Sequence, residues 1–133
     1  DAMSARTIEE AIRAILVANS TVKAITTRIY PSTLPQDPIY PLILYIRISG
    51  YRDNTLTGPS GLANPRFQIE AWAETYAAAK SLANAIRVCL NGYRGTSGTV
   101  RIGSCLIQSE RDIYEPEAAC HRVVMDYTIW HSE

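Results

Sequence analysis

The stretch PRFQIEAWAETYAAAKSLANAIRVCLNG, residues 65–92, changes its hydrophobic period at the middle, and that change decides the fold class. From Pro65 to Glu74 the side chains alternate, with Phe67, Ile69, Ala71 and Ala73 on one face and Arg66, Gln68, Glu70 and Trp72 on the other. This is the period of two expected of a strand with one buried face, and it turns Trp72 outward on the polar side. Thr75 then reads as an N-cap. The Ala-rich run from Tyr76 to Leu90 places Ala79, Leu82, Ala83, Ile86 and Leu90 on one stripe, which predicts a helix closed by Asn91-Gly92. A strand feeding directly into a helix, each with one apolar side, predicts a sheet covered by helices.

Upstream, Thr7-Ile-Glu-Glu10 has the form of a capping box. Ile8, Ala11, Ile12, Ile15 and Leu16 continue it as an amphipathic helix that stops at Asn19-Ser20. A second helical turn over residues 21–26 has weaker support, because β-branched residues crowd it. Ile29-Tyr30 predicts a short strand. Pro31, Pro35, Pro38 and Pro41 then hold the chain extended as an ordered connector. Leu42 to Ser49 predicts a central strand, and residues 51–64, with only Leu56 and Leu62 apolar among small polar residues, a long loop. Downstream, a glycine-rich turn through Gly98 leads to two strands, about Thr99 to Ile113 and Cys120 to Trp130, joined near Glu115-Pro116-Glu117. Val123, Met125, Tyr127 and Ile129 form one face of the last strand. The expected fold is α+β, an antiparallel or mixed β-sheet with two main helices packed on one face, in a single domain over residues 1–133. Asp1 and Ala2 are expected to be cloning residue ahead of a native start at Met3.

The 133 residues are 47% hydrophobic and 20% charged, and 13 Lys+Arg balance 13 Asp+Glu to a net charge of zero. A chain of this size buries roughly 68–70% of its unfolded surface, enough for a core without disulfides or metal and too little for a second domain. Neutrality argues against a protein whose main task is gripping nucleic acid, which shows a basic excess. It also removes the self-repulsion that keeps copies apart. Among the basic residues only Lys23 and Lys80 are not Arg, a choice that suits protein interfaces. Cys89, Cys105 and Cys120 are odd in number and lack CxxC spacing, as expected of reduced, buried thiols. Apolar runs such as Leu42 to Ile46 are strand-sized, so no membrane span is expected.

The candidate motifs for chemistry each read better as structure. Gly58-Pro-Ser60-Gly-Leu62 lacks the final glycine and the strand-to-helix turn of a nucleophile elbow. Gly92-Tyr-Arg-Gly95 has the spacing of an RNA-binding glycine loop, but it joins a helix to a strand instead of two helices. Cys120 and His121 are strand neighbours that point to opposite faces, and His121 and His131 lie on the order of 30 Å apart along one strand. Glu110, Asp112, Glu115 and Glu117 crowd one turn with Arg111 among them and no His or Lys nearby in sequence, which predicts a charged surface. No catalytic, cofactor-binding or metal-binding residue is expected, and the chain reads as a non-enzyme.

Four stretches together carry a family resemblance. They are Arg28-Ile-Tyr-Pro31 with Leu34-Pro-Gln36, Tyr45-Ile-Arg-Ile-Ser-Gly50 through Gly58-Pro-Ser-Gly-Leu62, Gln68-Ile-Glu-Ala-Trp-Ala-Glu-Thr-Tyr76, and Ser109-Glu-Arg-Asp-Ile-Tyr-Glu-Pro-Glu117 with Met125-Asp-Tyr-Thr-Ile-Trp130. In order and spacing the chain resembles the tail completion, or tail terminator, family of long-tailed bacteriophages and prophages. The resemblance implies a structural virion protein without cofactors: a hexameric ring that caps the tail tube at its head-proximal end and joins it to the head connector. The implied partners are further copies of the chain, the tail-tube protein and the head connector or stopper protein, with no membrane and no specific nucleic-acid binding. Location would be the virion tail, after assembly in the host cytoplasm. Candidate assembly residues are Arg52, Leu56, Leu62, Arg66, Trp72, Arg111, Glu115 and Trp130. A head-side stopper or adaptor of the neck is the neighbouring alternative. A small nucleic-acid-binding module using Arg94 and the turn from Gly92 to Gly98 is the more distant one.

Overall fold

The computed structural model describes residues 7–132; the expected start at Met3 and the residues before it lie outside the described residues. In chain order the elements are α1 (Ile8–Ala18), α2 (Ser20–Ile25), β1 (Ile29–Pro31), β2 (Leu42–Ser49), β3 (Arg52–Thr55), β4 (Gly58–Ala63), β5 (Arg66–Ala73), α3 (Tyr76–Leu90), β6 (Gly95–Ser97), β7 (Val100–Glu115) and β8 (Cys120–Ser132). Each helix begins at a side chain that satisfies orphan amides. The Thr7 hydroxyl accepts from the Glu10 N–H at 3.2 Å, and the Thr75 hydroxyl accepts from the Ala78 N–H at 3.2 Å. At α2 the Asn19 side-chain oxygen accepts from both Thr21 and Val22, which offsets the poor helix propensity of that β-branched turn.

The strands form one mixed sheet. β1 runs parallel to β2, while β2–β5, β5–β8, β8–β7 and β7–β6 are all antiparallel. One side of the sheet presents Ile43, Tyr45, Phe67, Ile69, Met125, Tyr127 and Ile129 to Leu82 and Ile86 of α3 and Ile12 and Leu16 of α1, in one buried cluster. Complete burial of a Leu or Ile side chain contributes ~1.5–3 kcal/mol. The α+β class and the mixed sheet are as expected. The helical layer is less symmetric than two equivalent helices: α3 lies across β5 and β8, and α1 and α2 pack against α3.

The long loop expected at residues 51–64 is instead the β3–β4 hairpin, joined to the sheet where Leu62 and Ala63 pair with Ser132 and His131. Its strands are mostly exposed, with Ala63 alone buried among their described residues, where β4 meets β8, and so carry no apolar alternation to read. Side-chain-to-backbone bonds hold it instead, from the Thr55 hydroxyl to the Gly58 carbonyl at 2.8 Å and from the Ser60 hydroxyl to the Asp53 carbonyl at 3.0 Å. Gly58 at φ 142° and Gly61 at φ 82° supply conformations that other residues rarely adopt. The expected glycine-rich turn before Gly98 likewise contains a short strand, β6, paired on Val100–Ile102.

Cys105 and Cys120 are buried while Cys89 is half-buried, and burial pushes the Cys105 thiol up to about 12. Iodoacetamide on the native protein at about pH 8 should therefore alkylate Cys89 first, leaving Cys105 and Cys120 for the unfolded state. Peptide mass spectrometry checks the order, and equal labelling rates would contradict it.

Candidate assembly surfaces

The side of the sheet away from the helices divides into three zones. At the β1 end, Trp72 is buried with Leu42, Leu44 and Cys120 under Leu34 and Tyr40 of the proline-rich connector. Its ring stacks on Tyr40 at 6.4 Å and 9°, and Arg122 lies 5.3 Å above it. The expectation of an outward Trp72 is thus corrected: the strand period places it on the far face, and the chain's own connector covers it to 8% exposure. Beside it Glu70, 1% exposed, accepts from the Trp72 indole N–H at 3.0 Å, from Gln68 and from Arg122 at 2.9 Å. Arg122 also donates to Glu115 at 2.8 Å. The rim of this zone is an acidic cleft of Asp37, Glu115 and Glu117 around Tyr40 and Trp72.

The middle zone is polar. Arg66 pairs with the buried Asp126 at 2.9 Å, and the Ser109 hydroxyl donates to the same carboxylate at 3.0 Å. At the opposite end of the face, Leu62 and Trp130 are exposed side by side, and Tyr51 meets Trp130 edge-on at 6.2 Å. A cleft of 370 Å³ lies here between Leu62, Arg101, Gly103 and Trp130. Exposed aromatic rings beside Arg have the composition of an interface core.

On the helix side of the β7–β8 hairpin the structure brings Lys80 to the acidic strand. Its ammonium lies 3.3 Å from both Glu110 and Asp112, and the Tyr76 hydroxyl donates to Asp112 at 2.8 Å. The expectation that no Lys stood near this cluster is corrected, because α3 supplies one from thirty residues upstream. The Tyr76 hydroxyl bond, aided by Lys80, holds the Asp112 carboxyl below the usual carboxylate range. A depressed carboxylate contributes stability above its unfolded pKa, and that contribution is lost as pH falls through its folded value. Asp112→Ala should accordingly flatten the loss of stability below about pH 4, as read from urea midpoints; an unchanged acid limb would contradict it.

Of the candidate assembly residues, Leu62 and Trp130 come together, and Trp72 and Glu115 meet around Arg122. Arg52 stands exposed at the start of β3, and Leu56 is fully exposed at 107% on the hairpin tip, apart from the others. Arg66 is committed to Asp126, and Arg111 is exposed opposite Val124. Tyr51 and Arg101 join the aromatic zone without a signal in sequence, since their placement depends on the hairpin seating against β8. His121 sits between Tyr76 and Tyr114 at ring distances of 5.8 and 4.8 Å, far along β8 from the buried His131. Among the described residues no group of three or more His, Cys, Asp or Glu side chains is arranged to hold a metal ion.

The family model described as tail completion protein gp17 matches residues 10–132. A chain of the virion of a native gene transfer agent (GTA) particle has a similar fold, with a TM-score of 0.79, 16% sequence identity and coverage of 95% of each chain. No curated protein matches. Because the family match runs from the first helix to the last strand of this sheet, the chain belongs to the tail completion protein gp17 family.

Proposed function

We propose that the protein is a tail terminator: a ring of copies, six in number, that caps the tail tube at its head-proximal end and offers the surface on which the head connector or stopper docks. The observation that carries this reading is the family match over residues 10–132. The geometry supports it. A ring subunit needs two different surfaces, since a head-to-tail contact is heterologous and closes only by rotation. The protruding hairpin with Leu56 at its tip and the Tyr51–Leu62–Trp130 zone are exposed apolar features suited to such contacts. The protein would act by shape and contact, with no catalytic step, joining the virion after assembly in the host cytoplasm. Particles assembled without it should separate into filled heads and free tails of irregular, excess length, and added purified protein should restore joined particles. Normal tails already joined to heads in its absence would refute the reading.

A further inference from the structure

The outer edge of β7 is closed along its first half only. β6 pairs with Val100–Ile102, the Gly92 N–H donates to the Cys105 carbonyl at 2.6 Å, and the Ile107 N–H donates to the Asn91 side chain at 3.0 Å. From Gln108 to Glu115 no strand among the described residues pairs with that edge. The direction of its backbone groups follows from the ladder. Ile129 donates its N–H to Pro65, on the β5 side, so the odd-numbered residues of β8 turn toward β5. Their partners on β7, Glu110, Asp112 and Tyr114, therefore turn their N–H and C=O groups away from β8 and outward.

A bulge between Ile107 and Ser109 and the charges of Glu110, Arg111, Asp112 and Glu115 guard this edge against indiscriminate pairing, but its backbone stays accessible to a strand of fitting charge. The other end of the sheet is a three-residue strand ending in Pro31, whereas residues 108–115 contain neither proline nor lysine. Alongside it runs a groove of 470 Å³ between β7 and α3, with Ala83 and Ile107 as apolar lining, the paired Lys80 and Glu110 at one side and Arg87 as a further cation. An open strand edge beside a helix-lined groove is the arrangement that binds an added strand.

We propose that this edge pairs with the β3–β4 hairpin of a neighbouring copy of the chain, a contact that rests on the ring reading and specifies its interface. Three features of the hairpin fit. β3 pairs only with β4 among the described residues, and no other described strand lies along the outer side of Asp53 to Thr55. Leu56 is fully exposed and would find apolar lining at Ala83 and Ile107, while Asp53, the hairpin's only carboxylate, would face Arg87, which bonds only the Asn84 side chain among the described residues. The hairpin joins β8 on the edge that β5 uses and β7 lies on the other, so the two surfaces face away from each other within one subunit. Pairing them between copies makes a heterologous contact that rotation can close.

Hydrogen exchange followed by mass spectrometry on the full chain, as monomer and as assembled on tail tubes, tests this contact. Amides of residues 110–114 and 52–56 should slow together by about tenfold or more on assembly. A second arm compares Asp112→Pro, which removes an outward N–H, with Asp112→Ala, which removes only the side chain. The Ala variant should assemble, and the Pro variant should stay monomeric with a native circular dichroism spectrum. Rings whose edge amides exchange as in the monomer, or a Pro variant that assembles as well as the Ala variant, would overturn the hairpin contact while leaving the ring intact. A wild-type chain that forms no ring even on tubes would overturn both.

Discussion

Replacing Arg122 with Met is expected to cost about 3–5 kcal/mol of folding stability, the largest effect of any single side chain in the account. The reason is the state in which it leaves Glu70. That carboxylate has 2% side-chain exposure, and Arg122 is its one ion-pair partner among the described residues. Without Arg122 it retains the Trp72 indole N–H and the Gln68 amide, two neutral donors that cannot offset a buried charge. The packing of Arg122 over the Trp72 ring is lost as well. The double variant Glu70→Gln with Arg122→Met removes the charge together with its partner and should recover most of the loss. Urea unfolding of the wild type, the Glu70→Gln and Arg122→Met single variants and the double variant checks the pattern, and additive losses in the double variant would contradict it.

The second large effect concerns assembly. Trp130 is 37% exposed, contacts Tyr51 edge-on and adjoins Leu62, so truncation to Ala removes the centre of the aromatic zone without opening the core. If this zone meets a neighbouring copy or the tube, Trp130→Ala should weaken assembly by about 30-fold or more, in line with an interface anchor worth ~2 kcal/mol. The monomer should lose no more than about 1 kcal/mol. Sedimentation of mixtures with tail tubes measures the first quantity and thermal unfolding the second. Unchanged assembly would remove this zone from the interface.

The elements best read from sequence are those whose own pattern specifies them. α3 runs from Tyr76 to Leu90 as its cap, stripe and Asn91-Gly92 terminus require, and β5 runs over Arg66–Ala73 as its period predicts, although from Ile69 on both of its faces are buried. The β3–β4 hairpin is illegible in sequence because among its described residues it buries only Ala63, where it joins β8, and otherwise relies on Thr55 and Ser60 hydroxyls, a local chemistry that loops also use. Trp72 marks a different limit. Period two assigns a side chain to a face, but whether a second layer covers that face depended on Leu34 and Tyr40 folding back across the sheet. Lys80 and its two carboxylates were separated by thirty residues and met only through the packing of α3 on the sheet. Exposed candidates such as Leu56 and Leu62 could be named from sequence, being the rare apolar residues of a polar segment.

The central claim is that copies of this chain close into a ring on the end of a tail tube. Native mass spectrometry of the purified protein, alone and mixed with tail-tube protein, addresses it most directly. A closed assembly of six chains is expected, appearing at high concentration or on the tube and binding once per tube end. A chain that remains monomeric and unbound in the presence of tubes would contradict it.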